Sequence, residues 1–353
     1  MKLPGEVANL EDWIELAYAA KLTDGLPVLP PTPEAVGARV RASRRRADES
    51  LGSIPPRGGV ATIEVLAANA AMAGCPPEGM PLLVAAIEAL LEPRFNLNGV
   101  QCTTHACWPL TIVSGPVVAR LGLATAESVF SGGGSRLSVA LGRAVRLALW
   151  NVGGAHPGSP VKEVFGHPGR FGFAIAECAE HPWTRLHEAR GLGREQSAVT
   201  MFACEAPHGV AFWGVGADPE ERLAAVADSM HPHGSSNTHT MGEILVAVSP
   251  AEARHLHARG YTRERVQERL FDLSRRRVGE IRSRAPDAPA RYDWWPEEID
   301  QDDDDARVPI TDGPEAIHLV VCGADSLPWA AVCPGWGHLG GFAVTRAVED
   351  QAS

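Results

Sequence analysis

Apolar positions recur every three to four residues in "NLEDWIELAYAAKL", a spacing that predicts an amphipathic helix with Asn9 or Asp12 available as its cap. The proline-rich turn "DGLPVLPPTPEAV" then leads into a helix capped by Thr32. Helical patterning continues in "VATIEVLAANAAMAG", which Gly74 closes, and in residues 81–91. The period changes at "LTIVSGP", which is apolar and β-branched and ends on Gly-Pro, as a short interior strand does. "RFGFAIAEC", "SAVTMFACEA", "EILVAVS" and "AIHLVVCG" read the same way. Between them lie the helical stretches "LSVALGRAVRLALWNVGG", "DPEERLAAVADSMH", "SPAEARHLHARGY" and "TRERVQERLFDLSRRRVGEIR".

Strands alternating with helices predict an α/β fold, a mixed sheet flanked by helices. No internal repeat is legible. Residues 1–284 form the main body in this reading. Residues 285–315, with "EEIDQDDDDAR", form an acidic linker or surface excursion. The apolar stretch within residues 316–353 must pack back on the sheet, which makes one large body of the chain.

Composition narrows the function. A chain of 353 residues readily buries a sizeable core. The net charge of -11 argues against nucleic-acid binding, which needs a surplus of Lys and Arg, and the basic run Arg44–Arg45–Arg46 is followed at once by acids. The first residues lack the apolar core of a signal peptide, and no run of about 18 apolar residues predicts a membrane span. Seven scattered cysteines, an odd number, then point to reduced thiols and a cytoplasmic protein.

Several clusters could carry chemistry. Cys75 precedes a helix start, where the dipole favours thiolate, and Glu78 lies three residues on as a proton-transfer partner; the alternative is a buried cysteine used as a small hydrophobe. "QCTTHACW" puts Cys102, His105 and Cys107 in a loop, with Thr103 and Thr104 placed to orient a substrate. "MHPHGSSNTHTM" supplies His231, His233 and His239; His-x-His on extended chain sets both imidazoles to one side, the pattern that takes zinc, iron or manganese. "SGGGSRL" combines a glycine loop, a helix N-terminus and Arg136 into an anion receptacle, with Arg143 further along the same helix. It is neither a P-loop nor a dinucleotide fingerprint, so no nucleotide cofactor motif is present. Glu177 ends a strand, where catalytic groups project from open α/β sheets, and His187 follows in the next segment.

The order of the phrases "DGLPVLPPTPEAV", "AANAAMAGCPPEGMPLLVAAIEALL", "NLNGVQCTTHACWPLTIVSGP", "LGRAVRLALWNVGGAHPG" and "SPAEARHLHARGYTRERVQERL" resembles a largely uncharacterised bacterial family, found alongside proteins that carry the UGSC (selenocysteine-Gly-Ser-Cys) motif. The resemblance implies a cytoplasmic enzyme or enzyme subunit associated with thiol or selenol chemistry. It highlights Cys75, Glu78, His105, Arg143, Asn151, Glu177, Trp183 and His187. "ECAEHPW", Cys322 and the histidine-rich loop depart from the pattern and suggest a specialised member.

The leading expectation is an enzyme acting on a small anionic metabolite. Cys75 or Cys107 would be the nucleophile or redox thiol, Glu78 or His105 the proton carrier, and Arg136 and Arg143 the anion clamp, with Asn151 beside them. Two alternatives stand beside it. One is a metal-dependent lyase, hydrolase or oxygen-handling enzyme using His231, His233 and His239. The other is a non-catalytic subunit, in a homo-oligomer or with a partner chain.

Overall fold

The computed structural model describes residues 9–158, 160–282 and 291–349. Short polar side chains start the helices as the pattern predicts. Asn9 accepts the amide of Asp12 at the head of Leu10–Ala19, Thr32 that of Ala35 at Pro33–Ser43, and Ser135 that of Ser138 at Arg136–Asn151. Residues 81–91 fall on the helix Met80–Leu90, whose side chains are buried on nearly every turn because it runs through the core.

The strands, in chain order, begin with a hairpin of β1 (Ser50–Ile54) and β2 (Gly59–Thr62). A first large sheet uses β3 (Trp108–Ser114), β4 (Ala174–Ala176), β5 (Ala198–Cys204) and the last strand, β12 (Val344–Ala347), in the order β12-β5-β3-β4. A second uses β6 (His208–Ala211), β7 (Ile244–Val248), β10 (Ile317–Val321) and β11 (Trp329–Pro334) in the order β10-β7-β11-β6. A short antiparallel pair, β8 (Arg276–Arg277) and β9 (Arg307–Val308), completes the set. The fold is α/β, with two mixed sheets and helices around them.

Both large sheets follow one plan. A central strand, β3 or β7, has a parallel neighbour, β4 or β10, on one side and an antiparallel neighbour, β5 or β11, on the other. An antiparallel edge strand lies beyond. The edges are exchanged: β6 follows β5 in the chain but pairs with β11, while β12 follows β11 and pairs with β5. Helices separate the two parallel strands in each case, Val117–Arg120 and Arg136–Asn151 in the first, Pro250–His257 and Arg263–Leu273 in the second. The sheets meet where β5 and β11 end, through a bridge between Cys204 and Gly335 and a 2.8 Å bond from the Glu205 amide to the Pro334 carbonyl. This repeat escaped the sequence reading because it is kept in topology, while "WPLTIVS" and "ILVAV" share only their apolar character.

The structure also departs from the pattern locally. "QCTTHACW" begins inside the helix Leu97–Cys102 before its loop. The long helix expected over "TRERVQERLFDLSRRRVGEIR" stops at Leu273, and Arg276–Arg277 turn into β8. The edge strands β6 and β12 are short and partly exposed, and have no clean alternation to announce them. The described part of the acidic segment has a small core, Tyr292, Trp295 and Val308 against Met241, Val278 and Ile281, while its aspartates face solvent and pair with Arg277, Arg282 and Arg291. Residues 283–290 and 350–353, parts of the expected excursion and of the C-terminal segment, lie outside the described residues.

One contiguous apolar cluster runs through the first sheet and its helices and takes in Leu245, Val320 and Cys333 of the second sheet. No described helix is long and apolar enough to cross a membrane.

Candidate active site

Polar side chains gather at one end of each large sheet, where the central strand enters and its antiparallel neighbour leaves. At the second sheet the organiser is Glu243, just before β7. Asn237, fully buried, donates to the carbonyls of Met241 and Glu243 at 3.0 and 3.1 Å and accepts the Gly335 amide at 2.7 Å. Gly242 has φ +105, with Gly337 backbone 2.6 Å from where a Cβ would stand, so only glycine fits this turn.

Glu243 is thereby aimed at three donors. His318 Nε2, from β10, lies 2.7 Å away, Arg94 donates at 3.1 Å, and the Ala343 amide also donates. Burial opposes ionisation of Glu243, but His318, the Ala343 amide and Arg94 outweigh it and hold the carboxyl below its usual range. Glu243 and His318 border a cleft of about 910 Å³, together with Arg94, Arg190, Asp312 and Thr345. Arg190 donates to Thr345 Oγ1 and to the Ala343 carbonyl, both neutral. Burial lowers its pKa and the nearby Glu243 charge opposes that. Asp312 is raised, by burial and then by Glu243.

A corresponding cluster lies at the first sheet. His105 Nε2 lies 3.0 Å from Glu205 Oε1, which follows β5. Thr103 Oγ1 accepts both the His105 amide and Trp336 Nε1. The Thr104 carbonyl accepts the Val164 amide and ties this loop to the segment carrying Glu163 and Arg170, which form an ion pair. Trp108 opens β3 with the guanidinium of Arg170 at 4.5 Å and that of Arg146 at 5.0 Å from its ring centre. Trp150 holds Arg146 from another side at 4.7 Å.

The two thiols expected to react, Cys75 and Cys107, are sealed, while Cys102 is partly exposed. Burial pushes both Cys75 and Cys107 up to about 12, so both are protonated at neutral pH in this conformation. The helix-dipole expectation for Cys75 is outweighed by full burial beneath Arg39, whose guanidinium bonds the Cys75 carbonyl. Glu78 and Arg136 are its electrostatic neighbours. Arg136 bonds the Gly74 carbonyl at 3.0 Å, and Arg143 pairs with Asp24 at 3.1 Å, so the two expected clamp residues are both engaged within the protein. Asn151 donates to Leu22 O and Asn69 Oδ1. Glu177 accepts the Leu186 amide and lies 3.5 Å from Arg263 and from His181, while His187 is buried with Nε2 3.4 Å from the Arg194 carbonyl. Trp183 donates to the Tyr261 carbonyl.

The histidine loop is not assembled as a metal centre. His233 and His239 pack edge to face at 5.4 Å, and His239 Nε2 is 2.8 Å from the His233 carbonyl. His231 is partly buried, its carbonyl bonded by Arg276. Among the described residues no three His, Cys, Asp or Glu side chains converge as metal ligands.

Of the residues expected from sequence, the fold thus brings together Thr103, Thr104, His105 and Cys107, and separately Cys75, Glu78 and Arg136. It adds Glu243, His318, Arg94 and Arg190, which the sequence reading did not select. The available signal was a polar residue inside an apolar run: His318 in "AIHLVVCG" and Arg146 in "AVRLALW". Comparison of the chain with protein-family models, with curated proteins and with solved structures gave no match.

Proposed function

We propose that this chain is an enzyme acting on a small anionic metabolite held in the cleft beside β10, by acid–base rather than thiol chemistry. The observation that carries the proposal is the placement of Arg190, whose acceptors among the described residues are both neutral, on the same cleft as the His318–Glu243 pair. Arg190 would take the substrate's carboxylate or phosphate, since a guanidinium fork matches either geometry. An ionised Glu243 beside Nε2 favours the imidazole tautomer with its proton there. That leaves Nδ1 as the nitrogen that exchanges a proton with the substrate. The sealed thiols at Cys75 and Cys107 support assigning proton transfer to the histidine.

The test begins with calorimetric titration of small carboxylates and phosphate esters into the full chain. Arg190→Gln is expected to weaken the binding of a positive compound by about tenfold or more. His318→Asn should keep the binding but abolish its conversion, followed by NMR of the compound. Binding that survives Arg190→Gln unchanged, or conversion that survives His318→Asn, overturns the reading. Binding without any conversion by the wild type leaves a binding protein, and overturns the catalytic part.

A further inference from the structure

The cluster at the first sheet contains more buried cation than buried anion. Arg143 is matched by Asp24 at 3.1 Å, and Arg170 by Glu163. Arg146, on the same helix as Arg143, is 5% exposed, and its Nε and Nη1 are buried with no acceptor among the described residues. What surrounds it instead is the faces of Trp108 and Trp150. A guanidinium removed from water without an acceptor is costly, and aromatic faces recover only part of that cost. Burial, the first cause, and then Arg170 lower its pKa to about 10, which still leaves it charged at neutral pH.

Asp24 and Glu163 act on Arg146 through space, but neither is hydrogen-bonded to it. Glu163 is engaged with Arg170 and has its other oxygen, Oε1, buried without a donor. His167 is pushed down to about 4, by burial and then by Arg170, and is neutral. Glu205 is partly exposed and faces His105. Arg170 Nη2 is also buried without an acceptor. Unmatched donors from two guanidiniums thus flank one tryptophan in a single enclosed place.

We propose that Arg146 and Arg170, around Trp108, form a binding site for a compact oxyanion, a carboxylate or phosphate no larger than the near-complete burial of Arg146 allows. It is distinct from the cleft at Glu243 and occupies the corresponding place at the other sheet. The two sheets would then bind anions in two ways, one in an open cleft and one in an enclosed seat.

Trp108 and Trp150 provide the readout. Acetate and inorganic phosphate are titrated separately into the full chain at constant ionic strength, with tryptophan fluorescence recorded and sodium chloride as the control. A saturable change with either anion, absent with chloride, is expected, and the anion giving it distinguishes the carboxylate from the phosphate source. Arg146→Met should remove the change. Glu163→Gln frees Arg170 and should tighten the binding by about tenfold. Arg190→Gln, which alters only the cleft, should leave the titration unchanged. No saturable change in either wild type or Glu163→Gln overturns the proposal, as does a change retained in Arg146→Met or lost in Arg190→Gln. If Arg146→Met does not fold, the direction of the Glu163→Gln effect decides, and binding that fails to tighten rejects the site.

Discussion

The two polar clusters occupy corresponding ends of sheets with one strand order, yet their electrostatics are opposite. At the second sheet Glu243 is surrounded by donors: His318, Arg94 and the Ala343 amide converge on one carboxylate. At the first sheet Arg146 is buried with donors that reach no acceptor among the described residues. Topology can therefore place a polar cluster without deciding its charge. That is decided by which side chains the connecting segments deliver: a glutamate before β7, and two arginines around the tryptophan that opens β3.

Mutations of opposite expected sign sharpen this contrast. Glu243→Ala leaves buried His318 and the Ala343 amide without their acceptor, and should cost about 3–5 kcal/mol in denaturant unfolding. A loss under about 1 kcal/mol, the size of an exposed ion pair, would show that Glu243 does not organise the cluster. Arg146→Met removes an unmatched buried charge while keeping most of the apolar volume. In the absence of added oxyanion it should raise stability by about 1 kcal/mol or more. A clear loss in the same unfolding experiment would mean that Arg146 has an acceptor after all.

The pH dependence separates two buried glutamates in the same way. Glu243 is depressed in the folded state, so its contribution is fully present above the ordinary carboxyl value of 4.5 and is lost as pH falls through the lower folded value. Glu163 is raised, chiefly by burial, with Arg170 opposing. Its penalty is absent below 4.5 and grows as pH rises through the higher folded value. In melting curves at neutral pH, Glu243→Gln should lose more stability than Glu163→Gln, because the burial penalty on Glu163 offsets part of what Arg170 loses with its partner. Both differences should shrink below the ordinary carboxyl value, and equal curves at neutral pH would refute the contrast. The smallest effect belongs to the exposed acidic segment: Arg277→Ala breaks the pair with Asp305 and should change unfolding stability by under about 1 kcal/mol. A larger change would mean that this pair anchors β8 against β9.

Helices and central strands were legible because each declares itself locally. Asn9 and Thr32 are short polar residues that accept an amide three positions on, which makes a helix start visible from sequence alone. The enclosed strands "LTIVS" and "ILVAV" are apolar except for Thr111 and Ser114, and buried along their length, because both faces are covered. The site was only partly legible. His105 and Cys107 stood out as a dense group, and the fold does place them in a polar cluster with Glu205, Glu163 and Arg170. At Cys75 and at His231, His233 and His239, residue type and spacing say nothing about whether a thiol is sealed under Arg39 or two imidazoles pack edge to face.

The sequence by itself determined the α/β alternation, the helix starts and the central strands, because those depend on caps and periodicities spanning a few residues. Only the tertiary structure decided that there are two sheets, that they exchange their edge strands, and that His318 meets Glu243 from 75 positions away. It also decided which arginines have acceptors. Such pairings depend on chain closure over long separations and on how fully each charge is removed from water, and neither quantity is written in a local pattern.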